Sequence, residues 1–143
     1  MKQEDKTEII LSQWQTCVDT ANSVSQRRDS MNNIFITLNL AILAAVSITW
    51  DVKSIFILTA GIIICFLWIL FIRNYKLLNT AKFEVINKME SKLPIAPLKD
   101  EWEILKKNKK YRDTTKLEKW LPITFIILYL VMIITIVTLK ITC

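Results

Sequence analysis

Three long stretches of this chain carry no charge. Ile34 to Trp50, Ser54 to Ile72 and Leu121 to Leu139 contain no Lys, Arg, Asp or Glu, over 17, 19 and 19 residues. The hydrocarbon core of a bilayer takes roughly 17–25 residues of helix. A soluble bundle with three such helices would have to bury all of them on every side, whereas soluble helices keep a polar face. The runs therefore predict transmembrane helices at 34–50, 54–72 and 121–139. Asp51-Val52-Lys53 leaves room only for a tight hairpin between the first two.

The rest of the chain also favours helix. It has one glycine and three prolines, too few for a turn-rich β fold. The β-branched residues lie mostly inside the apolar runs, where backbone groups must be satisfied within the segment. The expected fold is all-α: an integral membrane protein with three spans, whose long helices extend into a helical collar outside the bilayer. The first 30 residues are polar and mixed in charge, without the order of a signal peptide.

Residues 5–31 predict one amphipathic helix. Asp5 or Thr7 can cap it, and Glu8 sits in its first turn. Ile10, Trp14, Cys17, Ala21 and Val24 recur at 4-3-4-3 spacing, a stripe one helix face wide. Nothing breaks the chain before the first span, so a single helix from about Thr7 to Trp50 is expected. The second span is expected to continue past Arg73-Asn74-Tyr75 through Leu78, Lys82, Val85, Met89 and Lys92 or Leu93, with Pro94 stopping it. "LPIAP" is a rigid corner, since residues before proline avoid the α region. "LKDEWEILKKNKK" then predicts a short amphipathic helix with Leu98, Trp102 and Leu105 on one side. Pro122 is expected in the first turn of the third span, where proline is tolerated. The local core available to these collar helices is thin, and protomers packing side by side would supply the missing surface.

Charge gives the orientation. Residues 73–119 carry 13 basic and 7 acidic residues, while the hairpin has only Lys53 and the segment after the third span only Lys140. The positive-inside rule places 73–119 and the N-terminus in the cytoplasm and the C-terminus outside. Trp50, Trp68 and Trp120 stand near span ends, as interfacial aromatics do. Arg27, Arg28, Arg73 and Lys76 are candidates for contact with an anionic lipid surface, which accounts for the net charge of +6 without nucleic acid.

No catalytic set can be assembled. The chain has no histidine, the usual general base, and no glycine-rich phosphate loop. Cys17, Cys65 and Cys143 are too scattered for zinc, and Cys65 in mid-span is a small apolar filler. Asp100, Glu101 and Glu103 suit a solvated helix start better than a metal site. No enzyme activity and no cofactor are expected.

The spans say more. Asn33, Thr37, Ala41, Ala44, Ala45 and Ser47 share one broad face of the first span. Small residues let helices approach closely in lipid, and they equally can line a narrow polar path. Asn39 falls on the other side, among Phe35, Ile42, Leu43 and Val46. An amide there needs a partner: a ring of copies in an oligomer, or a bond to Thr59 or Tyr129. No span contains a charged residue, which argues against a proton pump, an ion-coupled transporter or a voltage sensor.

The order of features is familiar. "SQRRDSMNNIFITLNLAIL" enters a hairpin of two spans, followed by "YKLLNTAKFEVINKMESKLPIAPLKDEWEIL" and by "YRDTTKLEKWLPITFIILY" into the last span. This resembles the RipA-like family of small octameric bacterial membrane proteins over nearly the whole chain. The first half also resembles SLATT-type effectors, which are thought to perforate membranes in defence against phage. The resemblance implies a homo-octamer in the bacterial inner membrane with no known enzymatic activity. It also marks Arg27, Arg28, Asn33, Phe35 and Asn39, and in the collar Tyr75, Leu78, Asn79, Ala81, Lys82, Phe83, Leu93, Pro94, Pro97, Glu101 and Trp102. Of these, Asn79, Lys82, Phe83, Pro94, Pro97 and Trp102, with Trp14, are candidate collar contacts between protomers.

Two functions follow from these expectations. One is a pore-forming or membrane-perturbing effector in defence or stress response. The other is a non-conducting scaffold that organises lipid or recruits a cytoplasmic protein through the basic collar.

Overall fold

The computed structural model describes residues 3–48, 51–108 and 114–142. The expectations for Trp50, for Cys143 and for the collar residues 109–113 lie outside these described residues. Four helices follow in order: α1 (Gln3–Ile48), α2 (Ser54–Glu90), α3 (Pro97–Lys107) and α4 (Thr114–Thr142). Three of them, α1, α2 and α4, are long and apolar enough to cross a membrane. The protein is all-α, and no strand occurs among the described residues.

The chain divides into two compact units. One comprises Met1–Arg28 and Asn74–Asp113, the other Asp29–Arg73 and Thr114–Cys143. The second contains all three charge-free runs. We call the first the collar unit and the second the span unit.

In the span unit, parts of α1, α2 and α4 close around two apolar clusters. Val46, Leu58, Cys65, Tyr129 and Ile136 form one, and Phe35, Trp68 and Ile72 the other. Of the connection between α1 and α2, residues 51–53 are described and turn directly into α2. Asp51 caps α2: its Oδ1 accepts from the Ser54 amide at 3.2 Å, and its backbone carbonyl accepts from the same amide at 3.1 Å. The side-chain acceptor satisfies one of the first-turn N–H groups that a helix start leaves without an intrahelical partner.

Two expectations fail here. Pro122 is not in a first turn, because α4 begins at Thr114 and the charged residues ahead of the apolar run are already helical. Pro122 is buried within the helix, with no N–H to offer the preceding turn. Trp68 is not interfacial either. It is fully buried, because its indole is flanked by Phe35 and finds a hydrogen-bond partner inside the unit.

In the collar unit, the stripe on α1 faces inward much as its spacing predicts. Ala21 and Val24 are buried, and Ile10, Trp14 and Cys17 half-buried. The line expected on α2 holds in part: Lys82, Met89 and Leu93 are half-buried. Ile86 and Glu90 are buried and Asn79 half-buried, while Leu78 and Val85 are exposed. The Glu90 carboxylate is among the inward groups. The helix also ends at Glu90 and not at Pro94; the chain leaves through turns in which Lys92 N–H donates to Met89 O and Leu93 N–H to Glu90 O.

Candidate functional site

In lipid, apolar side chains gain nothing by leaving the solvent for each other, so helices are held by close packing and hydrogen bonds. The span unit has both. Asn39 on α1 is fully buried, and each of its polar atoms is used. Its Nδ2 donates to Phe35 O at 2.7 Å. Its Oδ1 accepts from the Tyr129 hydroxyl of α4 at 2.6 Å and from the Cys65 thiol of α2 at 3.2 Å. One amide thus ties all three helices together. Of the partners the sequence offered, Tyr129 takes Asn39; the Thr59 hydroxyl turns back to Ile55 O. Cys65 is a donor as well as a filler. Within one chain the Oδ1 of Asn39 takes two donors and one N–H of its Nδ2 is also used.

Gly61, the chain's only glycine, lies against the ring of Tyr129. A Cβ at this position would stand 2.7 Å from Tyr129 Cε2 and 3.0 Å from Cζ. The bare backbone is what lets α4 place Tyr129 deep enough to reach Asn39. Aromatic rings extend the contact. Phe35 stacks on Trp68 with centroids 5.5 Å apart, Trp68 meets Phe125 at 6.3 Å, and Phe125 meets Tyr129 at 6.3 Å. The Trp68 indole donates to Asn32 Oδ1 at 2.8 Å, a second polar tie between α1 and α2.

The small face of α1 points away from this core. Asn33, Thr37, Ala41, Ala44, Ala45 and Ser47 are all exposed. Thr37 donates to Asn33 O at 2.9 Å and Ser47 to Leu43 O at 2.8 Å, so both hydroxyls are satisfied within the helix. The face is smooth and weakly polar, and it needs no water. Arg27, Arg73 and Lys76 are exposed and Arg28 is half-buried.

The collar unit is organised by Glu90, which the sequence reading overlooked. Its Oε1 accepts from the Leu98 amide at 3.1 Å and from the Trp14 indole at 3.3 Å; its Oε2 accepts from the Lys99 amide at 3.0 Å. The "LPIAP" corner now has a purpose. Pro97 opens α3 without an N–H, Ala96 supplies no side-chain cap, and the next two amides close on a carboxylate from α2. The negative charge also lies at the positive end of the helix dipole. No residue of α3 is buried, and this clasp ties its first turn to α2. A cue existed: Glu90 continues the line of Asn79 and Ile86, seven residues before Pro97.

The candidate collar contacts divide. Trp14, Asn79 and Lys82 are half-buried and turn inward; the Oδ1 of Asn79 is buried with no hydrogen-bond partner. Phe83, Pro94, Pro97 and Trp102 are exposed, and the Lys106 ammonium sits 5.4 Å over the Trp102 ring.

Comparison with known proteins gives one match. A family model described as the octameric membrane protein family (8xMP) covers residues 11–138. No curated protein matches the chain, and no solved structure does.

Proposed function

The chain belongs to the octameric membrane protein family, and on that premise we propose that it forms a ring in a bacterial cytoplasmic membrane and acts there as a membrane-perturbing or pore-forming effector in defence or stress response. The observation that carries the reading is the outward face of α1. It runs through the first span, is built from Ala41, Ala44, Ala45, Thr37, Ser47 and Asn33, and is left uncovered by the chain's own helices. Brought together around an axis, such faces make a lining of small and hydroxyl groups. The likeness of the first half to SLATT-type effectors supports the same reading, as does the lack of charge in the spans, which leaves no group for ion-coupled transport. The role is not enzymatic. Residues 73–119 and the N-terminus lie in the cytoplasm, where Arg27, Arg28, Arg73 and Lys76 meet anionic headgroups. The test is induced expression in bacteria carrying a membrane-potential dye, with and without phage challenge. Depolarisation is expected, and it is expected to disappear in Ala41→Leu with Ala44→Leu, which fills the face. A membrane that stays polarised under every challenge overturns the effector reading.

One observation favours a second function. Because Thr37 and Ser47 already bond to their own helix, their face packs against another helix at no polar cost. A ring sealed in that way would be a scaffold that organises lipid or recruits a cytoplasmic protein. Current recordings in planar bilayers separate the two: a stepwise conductance removes the scaffold, and a silent bilayer containing intact rings removes the pore.

A further inference from the structure

In the collar unit α2 carries two stripes, and only one is used. The inward one contains Asn79, Lys82, Ile86 and Glu90. The other holds Leu78, Ala81 and Val85, at the 3-4 spacing of a helix-packing seam. All three are exposed; Leu78 is 45% and Val85 49% accessible, and Leu77, beside them, is 60% accessible. Lipid is a poor cover for this stripe. It begins after Arg73, beyond the charge-free run, and the same stretch of helix carries Lys76, Lys82, Glu84 and Lys88.

We propose that the Leu78–Ala81–Val85 stripe is a subunit contact, docked against a second copy of the chain. The proposal rests on the octameric assembly of the family. A closed ring of eight uses head-to-tail contacts, so each copy needs a face for its neighbour that is distinct from its own core. Trp14, Asn79 and Lys82 turn inward and cannot serve. The stripe has the shape such a contact needs: the short side chain of Ala81 lies between the larger Leu78 and Val85, a groove that accepts a ridge from a neighbouring helix. The occupant is a second copy because octamer formation obliges copies to touch, and this is an apolar helix face, beyond the charge-free run, that the chain's own core leaves exposed.

The first experiment places a benzophenone amino acid at position 85 of the full-length chain in native membranes and identifies adducts by mass spectrometry. Covalent dimers of this chain are expected. Adducts only to lipid, or only to a different protein, overturn the proposal. The second experiment counts subunits by native mass spectrometry in nanodiscs for the wild type and for Leu78→Glu with Val85→Glu. The wild type is expected as an octamer, and the variant, with helix content retained by circular dichroism, is expected to lose at least tenfold in octamer abundance. A helical variant that keeps wild-type octamer abundance overturns the stripe as the contact. A wild type that is itself monomeric instead overturns the assembly on which the proposal rests.

Discussion

Gly61→Ala is the sharpest test of how the spans are held. The added Cβ would meet Tyr129 Cε2 at 2.7 Å, and ordinary contact begins at 3.4 Å, so the ring must retreat by about 0.7 Å. The ring is not free to do so. Its hydroxyl donates to Asn39 Oδ1 at 2.6 Å, and the same retreat would carry that bond beyond good O–H···O geometry. Overpacking of this kind costs about 1–3 kcal/mol. Alanine returns up to about 1 kcal/mol through helix propensity, less in a span whose helix is already enforced by the bilayer. The net expectation is a loss of about 1–2 kcal/mol, measured as a lower midpoint in SDS titration of the purified protein followed by circular dichroism. In a Tyr129→Phe background the ring has lost its anchor and can slide, so the same substitution should cost less than in the wild type. A Gly61→Ala protein as stable as the wild type, or equal costs in the two backgrounds, would refute the argument that Gly61 exists to admit Tyr129.

Three further outcomes follow from the same structure. Glu90→Gln removes the charge and turns one of two acceptors into a donor facing the start of α3, at a cost of about 1–3 kcal/mol; Leu98 and Lys99 amides should exchange faster with deuterium, and unchanged protection would count against the clasp. Trp68→Phe keeps a ring against Phe35 but leaves Asn32 Oδ1 without the indole, which should lower span stability by about 0.6–1.7 kcal/mol in SDS titration. Asp51→Ala removes the cap of α2 and should cost about 1 kcal/mol in the same assay; a value near zero would mean that the Asp51 carbonyl alone holds the turn.

Much of the fold was legible because it rests on segregation of charge, a large effect that needs no knowledge of contacts. The three spans and the inward stripe of α1 both follow from it. Asn39 was legible as a problem, since an amide in lipid demands a partner, and Tyr129 was one of the few groups able to answer. Glu90 was not, because a carboxylate on a helix outside the bilayer is ordinarily solvated; only its partners, two backbone amides and an indole, show otherwise. Of the expected line on α2, Lys82, Met89 and Leu93 are half-buried, while Leu78 and Val85 face out and Asn79, Ile86 and Glu90 turn in. Trp68 misled for a related reason. Proximity to a span end suits an interfacial tryptophan equally well, and the choice was made by Asn32 and Phe35, some thirty residues earlier in the chain.

The two units solve the problem of cohesion in opposite ways, and the difference bears on assembly. In the span unit the polar groups of Asn39, Tyr129, Cys65 and Trp68 are matched within one chain, and the only glycine is placed where helices must come close. Nothing in that core waits for a neighbour. What remains outside it is the small face of α1, whose hydroxyls are also satisfied, so copies can meet there, part, or leave a lumen without breaking a hydrogen bond. The collar unit is less complete: α3 buries no residue, Asn79 keeps a buried carbonyl without a partner, and an apolar stripe on α2 faces outward. In water that stripe gains roughly 25 cal/mol for each Å² covered, whereas the lipid-facing surface of the spans gains almost nothing by the same change. Covering that stripe therefore favours association more strongly than covering the same area of the spans.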